Sequence, residues 1–431
     1  MKQILKKLTS FFQVDKNIPA GLAENFVHYY WDITWYGLLN GTTLSFLNYF
    51  AVRVGANSTQ VGVIAAMPAI VSLIFALPAG VILKRFSFNR ATFVTAVLTR
   101  MFYLVFILLP FVKTSETVIT AVILVTLVMS IPAVFSTVGF NTSFALNIPD
   151  EYRAHVAGVR NAGFAIVTIF VSLVSGFILD TVKFPYGYAI VFGIGFIGSA
   201  FSAYHLYKLK TLEEFSHPWL KTSAREEHAR RWIIARIAEI GRLFRQQIRM
   251  DLIKGRSGTS ILLLTLIMFA LYISGPVFPV YLVNKFHFSD QVLSIGMASF
   301  NFAVFLGSMR LESIERRLGR KKSIGLGFIL MSFFPAALIF MQGPLLYYTA
   351  NLISGFGSAF VNGELFNYLY ERIPAGDHSS GVAWYTLGAN TAVLIGSFAG
   401  PLIANSVGFS ISMIIFTIIR FAVSLAILRW G

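Results

Sequence analysis

Apolar residues in this chain run on for long stretches, instead of alternating or recurring at one face of a helix. Mostly apolar spans occur at 28–51, 60–83, 91–112, 117–146, 156–180, 187–207, 259–283, 291–311, 323–341, 345–370, 380–404 and 409–428. A helix needs ~20 such residues to cross a bilayer. Glycine and proline punctuate most of the gaps between them. One such span can be a buried helix of a soluble protein, but twelve in a row predict an all-α, polytopic membrane protein with twelve transmembrane helices.

Composition agrees with this reading. Of 431 residues, 56% are hydrophobic and 13% charged, with mean hydropathy +0.70; an average soluble domain is ~25% charged. The first apolar span begins near Phe26, too late and too long for a cleaved leader. The net charge of +16 would suggest nucleic acid in a soluble protein, but its placement gives it another meaning. With the N-terminus inside, alternate connections hold Lys2, Lys6, Lys7 and Lys16, then Lys84, Arg85 and Arg90, then Arg153 and Arg160, the 208–256 segment, Arg310 to Lys322, Arg372 and Arg429. The opposite connections hold only Arg53, Lys113, Lys183 and Lys285. Basic residues concentrate on the cytoplasmic side of membrane proteins. Both termini are therefore expected in the cytoplasm, in a plasma (cell inner) membrane, and no nucleic-acid partner is expected.

The longest polar stretch splits the chain evenly. The expected units are a partly amphipathic cytoplasmic segment (1–27), a six-helix bundle (28–207), a cytoplasmic linker (208–257) and a second six-helix bundle (258–431). Within the linker, Ile233, Ile237, Ile240, Phe244 and Ile248 recur at helical spacing with arginines elsewhere on the wheel, a pattern suited to an anionic lipid surface. Ile4, Leu8 and Phe11, with Lys6 and Lys7, repeat it more briefly. The two bundles resemble each other at a shift of about 231 residues. Ser58-Thr59-Gln60-Val61 faces Ser289-Asp290-Gln291-Val292, and Ile148-Pro149 followed by Gly158-Val159 faces Ile373-Pro374 followed by Gly381-Val382. Duplicated halves are the construction of many secondary transporters, with the substrate site near mid-membrane at the repeat interface.

The residues between paired spans resemble the cytoplasmic signature of the major facilitator superfamily: Gly, three residues, Asp-Arg, one residue, Gly, then basic residues. The first half has Gly80, Lys84-Arg85-Phe86-Ser87 and Arg90, so glycine and arginine match while Lys84 replaces the acid and Ser87 the second glycine. The second half has Glu315-Arg316-Arg317-Leu318-Gly319-Arg320-Lys321, with Leu311 in place of the first glycine and one extra residue before Gly319. The resemblance implies a gating latch built from Gly80, Arg85, Glu315, Arg316, Gly319 and Arg320. It also implies that the first, fourth, seventh and tenth spans line a central cavity. The family's drug-antiporter signatures are missing: no arginine lies in the fourth span, and the fifth reads Ser172-Leu173-Val174-Ser175-Gly176, with Gly400-Pro401 found instead in the eleventh.

Ionisable groups inside hydrocarbon are costly and mark function by default. Here they are Arg100, Glu364, Arg420 and, nearer the cytoplasmic end, Asp32. By resemblance, Asp32 and Glu364 fall on cavity spans. Asp32, Tyr36, Asn40 and Thr43 share a helical face, as do Ser130, Thr137 and Asn141, then Ser294, Asn301, Ser308 and Glu312, and Thr168, Ser172 and Ser175. Such stripes line hydrated paths or glue helices together. The expected substrate and proton pathway is Asp32, Tyr36, Asn40, Asn141, Asn301 and Glu364. Glu364 is the first candidate for proton coupling and Asp32 the second, because a buried carboxyl retains its proton to higher pH than an exposed one. The alternative is an ion pair with Arg100 or Arg420.

With no cysteine and no two histidines at helical metal-ligand spacing, no metal or other cofactor is expected, and an enzyme is disfavoured. The expected function is transport of a small molecule by alternating access, coupled to protons, by a monomer in contact with membrane lipids. A lipid flippase with Arg100 as headgroup site, or a non-transporting solute sensor, are the alternatives on the same fold.

Overall fold

A computed structural model describes residues 20–83, 86, 88–210, 250–374 and 377–431. The two amphipathic segments and Lys84, Arg85 and Ser87 lie outside the described residues. Twelve membrane-length segments are described. Helix α1 runs Ala20–Leu39, passes a π-helical turn at Asn40–Leu44 and continues Ser45–Arg53. It is followed by α2 (Ser58–Leu83), α3 (Phe88–Met101, then Tyr103–Leu108), α4 (Ser115–Asn147), α5 (Asp150–Thr181) and α6 (Tyr186–Tyr207). The second half has α7 (Gly255–Tyr272, then Val277–Asn284), α8 (Asp290–Leu318), α9 (Arg320–Ile339), α10 (Pro344–Arg372), α11 (His378–Val407) and α12 (Phe409–Trp430). Ten of the twelve are long and apolar enough by themselves to cross a membrane; α1 and α10 are not among them. Both are diluted by polar residues, Glu24, Asn25, His28 and Asp32 in α1 and Asn351, Asn362, Glu364 and Asn367 in α10.

Several helices start before their apolar spans. Pro149 ends α4 and opens α5, because a proline cannot continue the hydrogen-bond ladder and holds Ile148 in an extended conformation. Glu151 then occupies the first turn of α5, where the helix dipole favours negative charge. Helix α5 therefore begins six residues before the predicted span at 156. Arg160 thus sits ~15 Å along the helix, not at its mouth.

The first six helices pack on one another and so do the last six: α1 lies on α5 and α6, α4 on α2 and α3, α10 on α8 and α9, and α7 on α11 and α12. A smaller contact joins the outer parts of α1 and α7, and the two main seams between the bundles are α2 against α11 and α5 against α8. Pseudo-symmetry exchanges them, and each depends on a glycine. A Cβ on Gly62 would lie 2.2 Å from the Ser397 carbonyl oxygen, and one on Gly176 would lie 2.1 Å from Ser294 Oγ. Both contacts fall near the end of the bundle that carries few basic residues, called here the basic-poor end; the other is the basic end. The apolar core divides accordingly. One buried cluster runs through both halves at the basic-poor end, from Phe46, Phe50 and Val61 to Leu293, Tyr347 and Phe416. At the basic end one cluster belongs to the second half (Ile261, Phe328, Tyr368, Ile427) and another to the first (Phe26, Tyr29, Val156, Leu206). Among the described residues, apolar burial, the main cohesive term between packed surfaces, therefore ties the halves together at the basic-poor end.

Arg420 explains how α7 and α9 tolerate their breaks. Helix α7 unwinds between Tyr272 and Val277 around Gly275-Pro276, and Pro335 inside α9 deprives the Met331 carbonyl of its usual donor. Buried Arg420 donates to both sites: Nη1 to Met331 O at 2.9 Å, Nε to Ala270 O at 3.2 Å and Nη2 to Ser274 Oγ at 2.6 Å. Its guanidinium also lies 5.6 Å from the Phe278 ring centroid. On α11, Gly396 and Gly400 admit the broken backbone, since a Cβ on Gly400 would fall 1.6 Å from Ile273 O. The expected ion pair between Arg420 and Glu364 is not formed; Arg420 is satisfied by carbonyls and a hydroxyl.

Candidate functional site

Asp32 lies in the first bundle between two arginines. Its Oδ1 is 3.7 Å from Arg100 Nη2 on α3, and its Oδ2 is 3.5 Å from Arg160 Nη2 on α5. Ser202 on α6 donates to Asp32 Oδ1 at 2.5 Å while accepting from Arg100 Nη2 at 2.7 Å. Four helices thus meet at one carboxylate, and all three charged side chains are nearly removed from solvent, at 7–11% exposure. Arg160 also rests on an aromatic shelf, its guanidinium 4.5 Å from the Phe140 centroid, 5.2 Å from Phe144 and 5.6 Å from Tyr29. Below the shelf, Asn147 donates to Tyr29 Oη at 3.2 Å and Asn89 Oδ1 at 2.9 Å, fixing α4 against α1 and α3.

A cavity of about 200 Å³ is lined by Asp32, Tyr36, Arg100, Thr137, Phe140 and Arg160 among others. A second, of about 120 Å³, shares Tyr36, Arg100 and Thr137 and adds Thr99 and Tyr103. Arg100 Nη1 and Arg160 Nε are buried without a hydrogen-bond partner. On its outer side Arg100 also borders an apolar groove of about 380 Å³ between α3 and α6, lined by Phe93, Val97, Phe196, Tyr204 and Tyr207.

The predicted pathway residues do not form one line. Asp32 and Tyr36 reach the cavity. Asn40 opens the π turn and points to Thr168 on α5 at 3.5 Å, while Thr42 and Thr43 are buried beside Gly195 on α6. A π turn carries one extra residue, so the four-residue spacing that joined Asp32 to Thr43 fails across it. On α4, Thr137 lines the cavity, Asn141 is exposed one turn beyond, and Ser130 is buried against its own helix. Asn301 donates to Met297 O of its own helix at 2.8 Å. The α5 stripe of Thr168, Ser172 and Ser175 is buried, with Thr168 and Ser172 packed on Gly41 of α1 and Ser175 bonded to Val171 O of its own helix.

Glu364 does not line the Asp32 cavity. It lies 3.5 Å from Arg320 Nε, whose closer partner is Glu315 at 2.8 Å; Glu371 is 3.5 Å from Arg320 Nη1, and Asn367 donates to Glu364 at 3.4 Å. Three carboxylates from α8 and α10 therefore converge on the first residue of α9. Gly319 makes the preceding turn possible at φ +79°, a conformation costly for other residues. Arg316, expected in this latch, instead faces solvent and pairs with Glu312 at 2.5 Å. A Cβ on Gly80 would meet nothing within 4 Å, and Arg85 lies outside the described residues.

At the basic-poor end, sequence reasoning passed over the polar contacts across the seam. Arg53 donates to Phe288 O at 2.6 Å and lies 3.5 Å from Asp290 Oδ1. Tyr188 reaches the same oxygen at 3.1 Å, Asp290 N donates to Asp180 Oδ1 at 2.9 Å, and Ser58 donates to Asn405 at 3.1 Å. The one available signal was that Arg53 is a lone arginine on a side otherwise poor in charge. Across α1 and α6, His28 and His205 place their Nδ1 atoms 3.1 Å apart. Among the described residues no cluster of three or more His, Asp or Glu is placed to hold a metal.

Two six-helix bundles with seams α2–α11 and α5–α8, and a buried polar site between the helices of the first, define a polytopic membrane protein of the transporter class. The sequence profile of the Major Facilitator Superfamily matches residues 34–254 and 260–431, and the chain belongs to that family. No curated protein matches the sequence. Among solved structures, the chain is similar to a mutant of the nucleoside transporter NupG, with 15% identity, 94% of this chain and 99% of that one covered, and TM-score 0.67. It is also similar to a partially occluded inward open conformation of the xylose transporter XylE from E. coli (14%, 94% and 97%, 0.66). A third is a POT family transporter in complex with a thioalcohol conjugated peptide (14%, 96% and 96%, 0.66). At these identities the likeness is one of fold.

Proposed function

We propose that the protein is a secondary-active transporter that moves a small polar molecule by alternating access, with the basic end and both termini in the cytoplasm of a bacterial-type cell. The observation that carries this reading is the contrast between the two ends. A shared apolar core and the Arg53–Asp290 contacts bind the halves at the basic-poor end, whereas the core is divided at the basic end. Alternating access needs two such states of nearly equal free energy, and a substrate shifts their balance only through unequal affinity for them. The similar folds of a nucleoside transporter, a xylose transporter and a POT family transporter in complex with a conjugated peptide support small polar cargo as a class and leave its identity to experiment.

Proton coupling is proposed at Glu364, with Asp32 second. Glu364 shares Arg320 with Glu315 and Glu371, so a proton on it removes one of three like charges and changes how firmly α9 is held to α8 and α10. The test is flux into proteoliposomes, screened across nucleosides, sugars, short peptides and organic anions, with and without a pH gradient. Glu364→Gln should abolish the stimulation by the gradient while leaving downhill exchange. Gradient-driven flux that continues undiminished in both Glu364→Gln and Asp32→Asn overturns the coupling.

A second reading, movement of a lipid, draws on the apolar groove between α3 and α6 that ends at Arg100. Scrambling of a labelled lipid by the reconstituted protein, in the absence of solute flux, would favour it.

A further inference from the structure

We infer that Arg100 and Arg160 form the receptor for an anionic oxygen group, a carboxylate or a phosphate, on the transported molecule. The inference rests on the transport reading for calling that anion a substrate, but the site itself is argued from local geometry.

Burying an ion is tolerated when its charge is matched and its hydrogen bonds are filled. Neither condition is met here. Two guanidiniums face one carboxylate, leaving a single unmatched positive charge among side chains only 7–11% exposed. Their approaches to Asp32, 3.5 and 3.7 Å, are longer than the ~2.7–2.9 Å of a well-made charged hydrogen bond. Arg100 Nη1 and Arg160 Nε have no partner at all. Arg420 supplies the internal standard: equally buried, it has all three of its nitrogens bonded to backbone or hydroxyl oxygens. Arg420 thus shows a deeply placed arginine with every nitrogen satisfied, whereas Arg100 and Arg160 each keep one nitrogen without a partner, as Arg372 Nε does at the end of α10.

The two arginines adjoin space of the right size and polarity. The cavity of about 200 Å³ has both guanidiniums in its lining, with Tyr36 and Thr137. A guanidinium presents its N–H groups in a plane that fits two oxygens of a carboxylate or phosphate. Phe140 and Phe144 pack against the Arg160 guanidinium at 4.5 and 5.2 Å, which restrains the fork before the ligand arrives. Asp32 then acts as a placeholder: it compensates one arginine in the empty site and limits how tightly an anion is held, which a transporter needs if it is to release its cargo.

The test separates a receptor from a purely structural ion triad. Full-length protein in detergent is titrated by calorimetry and by thermal shift with sodium acetate and with inorganic phosphate, each against sodium chloride at equal ionic strength. Acetate or phosphate should bind and raise the melting temperature, and whichever does so names the group. Asp32→Asn removes the competing carboxylate and should tighten that binding by about tenfold. Arg160→Lys keeps the charge but loses the fork, and should weaken it by a similar factor. Should Arg160→Lys prove unstable, the gain in Asp32→Asn alone decides, because a structural triad predicts lower stability and no gain of affinity. Binding of neither anion to wild type or Asp32→Asn, or an effect equal to that of chloride, overturns the inference. The assay contains no flux step, so its failure leaves the transport reading standing, and a failed flux screen leaves this one standing.

Discussion

Each half of this protein buries arginine deep in its helices, and the two halves use it differently. In the second bundle Arg420 has no acidic neighbour and takes carbonyls released by the α7 break and by Pro335. In the first bundle Arg100 and Arg160 gather around Asp32 and keep donors to spare. The same side chain at similar burial is scaffold in one place and a candidate site in the other, and partner satisfaction separates the two. Position within an apolar span, the criterion that singled them out in the sequence, ranks Arg100 and Arg420 alike.

The comparison breaks most directly at Arg420. Arg420→Gln leaves the Met331 and Ala270 carbonyls buried and unpaired, at a cost of about 2–4 kcal/mol, the largest effect expected here. Thermal denaturation in detergent should show it, while acetate or phosphate affinity of the folded fraction stays at the wild-type value. Loss of anion affinity together with retained stability would reverse the roles assigned to the two bundles.

Next in size is the seam that the halves share. Gly62→Val places a methyl-bearing carbon where 2.2 Å separates it from a backbone oxygen, and overpacking of this kind costs about 1–3 kcal/mol. The closed basic-poor end alone bears that cost, so the conformational balance should move away from it. The chain has no cysteine, which allows a clean measurement: a Ser58→Cys/Asn405→Cys pair, whose native side chains touch at 3.1 Å, should cross-link readily and lose at least about fivefold in yield when Gly62→Val is added. Unchanged yield would mean the seam does not govern the state.

Hydropathy and basic-residue placement made the twelve helices and their division into two bundles legible, because the bilayer imposes one simple requirement on each segment. The Asp32 site was half legible. Asp32, Tyr36 and Arg100 stood out as polar residues in apolar spans, but Arg160 was read as a flanking charge, since a helix start set by Pro149 lies outside the apolar run that marks the span. The stripe from Asp32 to Thr43 assumed uninterrupted helical spacing, which the π turn at Asn40–Leu44 removes. Arg53, Asp180 and Asp290 look like ordinary loop charges until the halves are brought together.

The smallest expected effects sharpen the reading of the α8–α9 turn. Sequence resemblance put both Arg316 and Arg320 in the latch, and the structure brings the convergent carboxylates to Arg320 while leaving Arg316 with Glu312. The Glu312–Arg316 pair is some three-quarters exposed on both sides, and an exposed pair one helical turn apart is worth about 0.3–0.5 kcal/mol. Arg320 is more shielded, and its removal leaves Glu315, Glu364 and Glu371 facing one another with Glu364 fully buried. Arg320→Gln should therefore cost about 1–2 kcal/mol, after discounting for the exposed share of the arginine. It should also change the pH-gradient response of flux if Glu364 couples protons. Arg316→Gln should move neither melting temperature nor flux measurably. Equal effects of the two substitutions would return the latch to Arg316 and detach Glu364 from it.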